Sequence, residues 1–152
     1  MIAVESKSSR RIVGRLNQGD SVIPALLDVC LQHNISAGEI RGIGAVVNPV
    51  VSEWDRVGHH YIDPVRRDGF AEVLSLLGNV SLIEGQTILH LHLNASYIEN
   101  GKVHPIAGHL IGAEVFALEF VIEAFDDLEL VRVMDDATGL ALWQKVSKKE
   151  GE

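Results

Sequence analysis

Three histidines form the pattern with the most chemical content in this sequence. His90 and His92 alternate with leucines in Leu89-His90-Leu91-His92-Leu93, and His109 follows a glycine in Gly108-His109-Leu110. Side chains two residues apart on a strand share a face at a separation of about 6.5 to 7 Å, so both imidazoles can reach one ion. Gly108 permits a tight backbone path that aims His109 at the same ion. The pattern predicts an open three-histidine site for a divalent metal, with water as a further ligand.

The other imidazoles in the central part of the chain are weaker candidates. His59 and His60 are neighbours on opposite faces of any strand, so at most one can join the site, and both fit a turn or the surface. His104 precedes Pro105, which forces an extended backbone and makes this histidine a poorer ligand. The alternative for His90 and His92 is that they face solvent on an exposed sheet and bind nothing.

Acidic residues are needed near such a site if they are to orient its ligands or move protons. Glu72 and Glu119 are the catalytic candidates, and Glu114 is a further acid of the same region. Glu119 lies opposite the apolar face expected of its strand, an unusual place for an unpaired charge. That apolar face is expected to hold Phe116, Leu118, Phe120 and Ile122. The alternative is that Glu72 and Glu119 meet a backbone amide, an arginine or solvent.

The composition limits the classes of protein to which the chain can belong. With 152 residues and 47% hydrophobic residues, it is long enough for one domain with one core. A net charge of −8 opposes nonspecific attraction to nucleic acid or an acidic membrane. No apolar run approaches the roughly 20 residues of a membrane span, and no secretion signal is visible at the amino terminus. Cys30 is the only cysteine, so no intramolecular disulfide forms, and we expect a cytoplasmic protein.

The elements that must position the histidines follow from periodicity. Apolar residues at three-and-four spacing predict a helix over Val22 to His33, capped by Gly19-Asp20-Ser21. The rest reads mainly as strands, with Asn100-Gly101 as the strongest hairpin signal and a short helical turn expected at Leu110 to Ala113. The expected strands are Arg11 to Leu16, Glu39 to Val47, Val50 to Asp55, Glu72 to Leu77, Thr87 to Tyr97, Lys102 to His104 and Val115 to Glu123. This order predicts a single α+β domain, a mostly antiparallel sheet packed against one main helix.

Several blocks in fixed order resemble the plant-and-prokaryote-conserved (PPC) domain, which occurs alone in bacteria and archaea and fused to AT-hook segments in plant nuclear proteins. The blocks are Gly42-Ile43-Gly44-Ala45, Glu72 to Val80, Leu89 to Leu93, Gly108-His109-Leu110 with Glu114-Val115-Phe116, and Asp136 to Trp143. One departure is Ala107, where the family usually has a second glycine. The resemblance divides the chain into an extension at residues 1–10, a PPC-like domain at 11–143 and a polar tail at 144–152, which we expect to be frayed from Ser147.

The resemblance to free-standing prokaryotic members implies a homotrimer and a metal held by His90, His92 and His109. Zinc is the first choice because imidazole suits it and no sulfur ligand is available, although nickel, cobalt and iron accept similar donors. Three neutral imidazoles leave zinc its full charge, which favours a small anionic ligand at the open position. The alternatives are a module in which the metal only stabilises the fold, and a DNA-associated regulator. No AT-hook core is present, so we expect no nucleic-acid partner. We expect no membrane partner either. Whether the protein is an enzyme stays open.

Overall fold

Strand-forming segments account for most of the chain in the computed structural model, which describes residues 1–7 and 10–149. The elements in this part of the chain are β1 (Arg10–Leu16), α1 (Val22–Gln32), β2 (Gly38–Ser52), β3 (Trp54–Asp55), β4 (His60–Tyr61), β5 (Val65–Arg66), β6 (Phe70–Ile83), β7 (Gln86–Glu99), β8 (Lys102–Ala124), β9 (Leu128–Asp135) and β10 (Leu140–Lys148). The predicted α+β class and predominance of antiparallel strands are confirmed.

The helix α1 forms where its apolar stripe was predicted. Val22, Leu26 and Cys30 are buried and belong to the main hydrophobic core together with residues of the sheet. Ser21 is the N-cap residue, but its side chain makes no capping hydrogen bond. The helix ends at Gln32 with His33 as its C-cap, one residue before the expected end; Asn34 has φ 55°, and the amide of Ile35 donates to the carbonyl of Cys30. At 11 residues, α1 is too short to cross a membrane.

The four central strands, β2, β6, β7 and β8, pair with one another in a closed cycle. β2 pairs with β6, β6 with β7, β7 with the first part of β8, and the remainder of β8 with β2, all antiparallel. β1 adds to the end of β8, and the β9–β10 hairpin joins β6 through one parallel bridge between Leu82 and Val131. The enclosed side holds the core, so each central strand has one buried and one outward face.

Two connections that the periodicity predicted are continuous strands instead. The expected helical turn at Leu110 to Ala113 is wrong, because β8 runs through it and pairs with the end of β2. β2 likewise continues through Asn48 and Pro49, where the register shifts and Asn48 has φ 54°. In both places a bulge absorbs the irregular residues, so pairing along the whole strand overrides the local preference.

The expected apolar face of the last long strand is wrong at one position. Val115 is buried and Phe116 is 48% exposed, because the register with β2 shifts between Val115 and Ala117. Leu118, Phe120 and Ile122 are buried as predicted. An extra residue in a strand reverses the alternation on one side of it, which simple period-two counting cannot detect.

The carboxyl-terminal part of the chain contains two strands, β9 and β10, that were not predicted. β10 runs from Leu140 to Lys148, across the expected boundary after Trp143. The division of the chain and the fraying from Ser147 stay predictions. Residues 150–152 of that tail lie outside the described residues. At the other end, Ser6 Oγ donates to Asp127 Oδ1 at 2.6 Å, which ties the amino-terminal extension to the turn before β9.

Candidate metal centre

The ladder between β7 and β8 brings the three histidines together. His92 stands directly opposite His109, and His90 stands opposite Asn79 of β6. Leu91 and Leu93 are each only 2% exposed, which confirms that the leucines face the core and the histidines face outwards. The pleat of β7 therefore places two imidazoles on one face, and pairing across the hairpin supplies the third.

Gly108 allows β8 to pass close to β2 immediately before His109. It has φ +150°, and a Cβ atom at this position would lie 2.8 Å from the carbonyl oxygen of Ser52. Ser52 is itself paired with His109 in the β2–β8 ladder. A side chain at position 108 would push the strands apart, so the glycine fixes the position from which His109 points.

The donor atoms have spacings close to those of a tetrahedral metal site. The Nε2 atoms of His90 and His92 are 3.1 Å apart, and the ligand atoms of all three histidines lie within 4.8 Å of one another. Two nitrogens bound to one zinc ion at about 2.0 to 2.1 Å are separated by roughly 3.3 Å in tetrahedral geometry. The pair on β7 is nearly at this spacing, and His109 requires a small adjustment.

Two further observations fit a metal at this position. Nδ1 of His109 is buried and has no hydrogen-bond partner among the described residues, and a metal bound there would satisfy it. Burial, with Arg132 as the second cause, lowers the pKa of His90 to about 4, and burial also lowers the pKa of His109. Both imidazoles are therefore neutral at pH 7, the protonation state that ligation requires.

Arg132 of β9 reaches the same cluster. Its Nη2 atom lies 3.3 Å from Nδ1 of His90 and donates to Asn79 Oδ1 at 2.9 Å. Nε donates to Ser81 Oγ at 2.8 Å and Nη1 to the carbonyl of Ala141 at 2.7 Å. These acceptors are all uncharged, and within residues 1–7 and 10–149 no carboxylate forms an ion pair with this guanidinium. Its positive charge is held firmly in place without being neutralised.

The histidines and Arg132 line one cavity of about 820 Å³ on the outer side of the sheet. The β3–β4 hairpin covers one side, where the ring of Tyr61 stacks on His109 with centroids 4.7 Å apart and Trp54 contacts Tyr61 edge-on. The apolar part of the cavity lining consists of Ile83, Ile88, Leu89, Met134, Leu140 and Leu142. The cavity thus combines a polar end with an apolar wall, the usual character of a small-molecule site.

Within one chain, the acids predicted to assist the site do not line the cavity that contains the three histidines. None of the three is among the described residues that line the histidine cavity. Glu119 lines a second cavity, with Arg15, Arg41 and Ile43, and Glu114 lines a third. Glu72 is exposed on β6, opposite Ser96. Among the described residues, the carboxylate that does line the histidine cavity is Glu53.

The remaining histidines are not part of the cluster. His59 and His60 are exposed in the β3–β4 hairpin, as expected of turn and surface residues. His104 stacks on Tyr97 at a centroid distance of 5.5 Å, near the far end of the β7–β8 hairpin. Arg132, Tyr61 and Trp54 were not identified from the sequence. A signal for Arg132 did exist: it follows Leu128 and Leu130 at period two, which places a charge on the inward stripe of β9.

Comparison with known proteins gives one family and several solved structures. The Plants and Prokaryotes Conserved (PCC) domain matches residues 3–126. A metal-containing protein from Archaeoglobus fulgidus is 30% identical, with TM-score 0.86 over 95% of this chain and 100% of that one. A plant- and prokaryote-conserved (PPC) protein from Pyrococcus horikoshii is 28% identical, with TM-score 0.85 over 95% of this chain and 98% of that one.

A third solved structure introduces a different function. It is a protein from Bacteroides thetaiotaomicron proposed to bind DNA, 27% identical, with TM-score 0.79 over 88% of this chain and 91% of that one. The curated proteins give no match.

Proposed function

The chain belongs to the Plants and Prokaryotes Conserved domain family, and we propose that it is a homotrimeric, zinc-binding protein. We propose further that its three-histidine site accepts a small anionic molecule. The observation that carries the proposal is the convergence of His90, His92 and His109, with ligand atoms within 4.8 Å of one another. The similar protein from Archaeoglobus fulgidus is described as metal-containing, which supports a metal here.

The donor set favours zinc among the divalent metals. Neutral imidazole suits zinc, and neither sulfur nor carboxylate belongs to the cluster among the described residues. Zinc bound by three neutral ligands supplies a Lewis acid with its full positive charge, which attracts anions. The protein supplies the fixed imidazoles, the stacked ring of Tyr61 over His109 and a cavity that shields one side from water.

Self-association is supported by the outward face of the sheet. Residues paired in a ladder share a face, and pairing connects Val13 through Val121, Arg41 and Leu77 to His92. This outward face carries apolar side chains that are about half exposed or more: Val13, Ile43, Leu74 and Leu77. Exposed apolar side chains gathered on one face are typical of an interface between protein molecules. The trimer itself is what membership of the family implies.

A DNA-associated role is the second candidate, favoured by the similar protein from Bacteroides thetaiotaomicron. The net charge of −8 opposes it, because nonspecific affinity for DNA comes mainly from cationic side chains that neutralise phosphates. We propose a cytoplasmic protein without a nucleic-acid partner. A mobility shift with duplex DNA at physiological salt would favour the second candidate instead.

Elemental analysis of purified, untagged protein tests the proposal, together with size-exclusion light scattering. About one zinc per chain in a trimer is expected for the wild type, and the His90→Ala/His92→Ala variant should lose the metal. The matched control is His59→Ala/His60→Ala, which removes two exposed imidazoles outside the cluster and should keep it. Equal metal content in both double variants would refute the site.

A further inference from the structure

We propose that the anionic molecule is a monocarboxylate with a short apolar body, and that Arg132 is the residue that selects its charge. The inference deepens the proposed function and rests on it for the identity of the site. It goes further because it assigns the anion to a side chain of the protein as well as to the metal.

The first argument is the uncompensated charge of Arg132. The guanidinium is half-buried, and it donates to Ser81 Oγ, the Ala141 carbonyl and Asn79 Oδ1, all neutral groups. Nδ1 of His90, also neutral, lies 3.3 Å from Nη2. A cation removed from water is unfavourable unless an anion pairs with it. A neutral imidazole that binds metal through Nε2 carries its hydrogen on Nδ1, so His90 cannot accept from Arg132 in the metal-bound site. The three bonds use three of the five N–H groups and leave one on Nη1 and one on Nη2 for a ligand. One charge and two free donors fit a singly charged anion such as a carboxylate.

The second argument is that Arg132 is rigidly oriented. Three of its bonds, to β6 and β10, are 2.7 to 2.9 Å long, and the face of Trp143 lies 5.7 Å from its central carbon. A guanidinium fixed in advance loses little conformational freedom when a ligand binds. Fixed donors beside an apolar wall are the features that give a pocket its selectivity.

The third argument is the rest of the cavity wall. Beyond the histidines and Arg132, the surface available to a ligand is mainly that of aliphatic side chains such as Ile83, Ile88 and Leu140. A phosphate or other multiply charged anion would leave this wall unused and lack donors, whereas an alkyl chain would bury it. Glu53 is the one carboxylate among the described residues that line the cavity; it is exposed. The observations together favour a carboxylate head with an aliphatic body.

Hexanoate is the probe, compared with hexan-1-ol, hexylammonium and hexyl phosphate, which share its chain and differ in charge. Amide shifts of Gly108, Gly139 and Ala141, all in the cavity wall, report binding in zinc-loaded and metal-free protein. We expect hexanoate to bind about tenfold or more tightly than each of the other three. The reason is that none of the three presents the carboxylate with which the charged donors of Arg132 pair. Equal binding of hexanoate and hexan-1-ol would overturn the proposal.

Arg132→Met removes the charge and keeps the length of the side chain. We expect it to weaken hexanoate binding about tenfold or more while zinc content stays at the wild-type level. Arg66→Met is the matched control, since Arg66 pairs with Asp68 on the surface and lies outside this cavity; hexanoate binding should be unchanged. Glu53→Gln should strengthen hexanoate binding. Undiminished binding to Arg132→Met would refute the assignment even if zinc is present.

The failures of the two proposals are distinguishable. A protein that takes up no zinc contradicts the metal site, whatever hexanoate does. A protein that holds zinc but binds hexanoate independently of residue 132 contradicts only the present inference. If Arg132→Met does not fold, Arg132→Lys, which keeps the charge but lacks the planar guanidinium, should show intermediate affinity for hexanoate. Comparison of the four probes on the wild-type protein then decides the question without a variant.

Discussion

At the scale of single residues, His90 lies between two different influences. One ring nitrogen, Nε2, is 3.1 Å from its counterpart in His92, and the other, Nδ1, is 3.3 Å from the guanidinium of Arg132. The first contact favours a shared metal, while the second adds positive charge beside it. In the proposed site, Arg132 would raise the affinity for anions at some cost in affinity for the metal, because like charges repel.

Zinc affinity should consequently respond to Arg132 in the opposite direction from anion affinity. We expect Arg132→Met to bind zinc at least as tightly as the wild type, since a neighbouring positive charge has been removed. Competition with a chelator of known affinity measures the difference. A clear loss of zinc affinity in a folded Arg132→Met protein would show that Arg132 supports the histidines instead of opposing the metal.

Cys30 provides a residue-scale prediction outside the site. Burial in α1 raises the pKa of its thiol from 9.0 to about 11. In the unfolded chain the thiol loses its proton near pH 9, so between pH 9 and 11 the folded state binds more protons and the stability contributed by this group decreases as pH rises. At pH 8 we expect no alkylation by iodoacetamide in the native protein and complete alkylation in urea. Rapid alkylation of the native protein would contradict this burial.

At the scale of elements, the β7–β8 hairpin creates the histidine cluster. Asn100 and Gly101 have φ values of 51° and 72°, as the turn that the sequence predicted requires. The turn fixes the register, and the register places His92 opposite His109. A residue inserted in this hairpin would displace one histidine from the other two.

Gly108 tests the role of the β2–β8 contact. A Cβ at position 108 would lie 2.8 Å from the Ser52 carbonyl, whereas a Cβ at Gly112 of the same strand meets nothing within 4 Å. We expect Gly108→Ala to lower the free energy of unfolding by about 1 to 3 kcal/mol and to reduce zinc content. Gly112→Ala should do neither. Denaturant unfolding and elemental analysis measure both effects, and equal behaviour of the two variants would contradict the geometric account.

The sequence predicted the elements whose signals are local. α1 has an uninterrupted apolar stripe, β7 alternates strictly, and the hairpin turn has its own residue signature. The failures have a common physical cause: β2 and β8 continue through Asn48 and Leu110 because long-range pairing outweighs local preference. β9 lacked a clear alternating signal, since Arg132 interrupts its apolar stripe. Because β9 was not predicted, Arg132, the cation of the cavity, was not identified either.

As with the fold, the predicted parts of the candidate site are those that have a local sequence signal. The sequence identified His90, His92 and His109, which lie on adjacent strands, because two follow one alternating pattern and the third follows a glycine. It could not identify Tyr61 or Trp54, whose short hairpin reaches the cavity through contacts distant in sequence. The assisting role expected of Glu72 and Glu119 depends on contacts that the single chain does not make, and it stays a prediction.

At the scale of the whole molecule, the outward face of the sheet carries both the histidine cavity and the exposed apolar residues. Leu77, which pairs with His92, lines the second cavity. If this surface is covered by other copies of the chain, the second cavity is shared between subunits in the assembly. The proposed subunit interface and the candidate metal site are therefore neighbours on one surface.

A charge on that face should separate the subunits. Ile43 is 58% exposed in the second cavity, and Ile43→Glu places a carboxylate beside Glu119, to which residue 43 is paired. We expect light scattering to give a trimer for the wild type and a smaller species for Ile43→Glu. Val57→Glu, at an 84% exposed position of the β3–β4 hairpin, is the control and should stay trimeric. A monomeric wild-type protein would remove the basis of this prediction.

The central claim, that three histidines hold one metal, is tested most directly by X-ray absorption at the zinc edge on protein loaded with one equivalent of zinc. The account predicts about three imidazole nitrogens at about 2.0 to 2.1 Å and one further light-atom ligand, with the imidazole signal lost in His90→Ala/His92→Ala. A zinc shell made only of oxygen, or one that the double variant leaves unchanged, would contradict it.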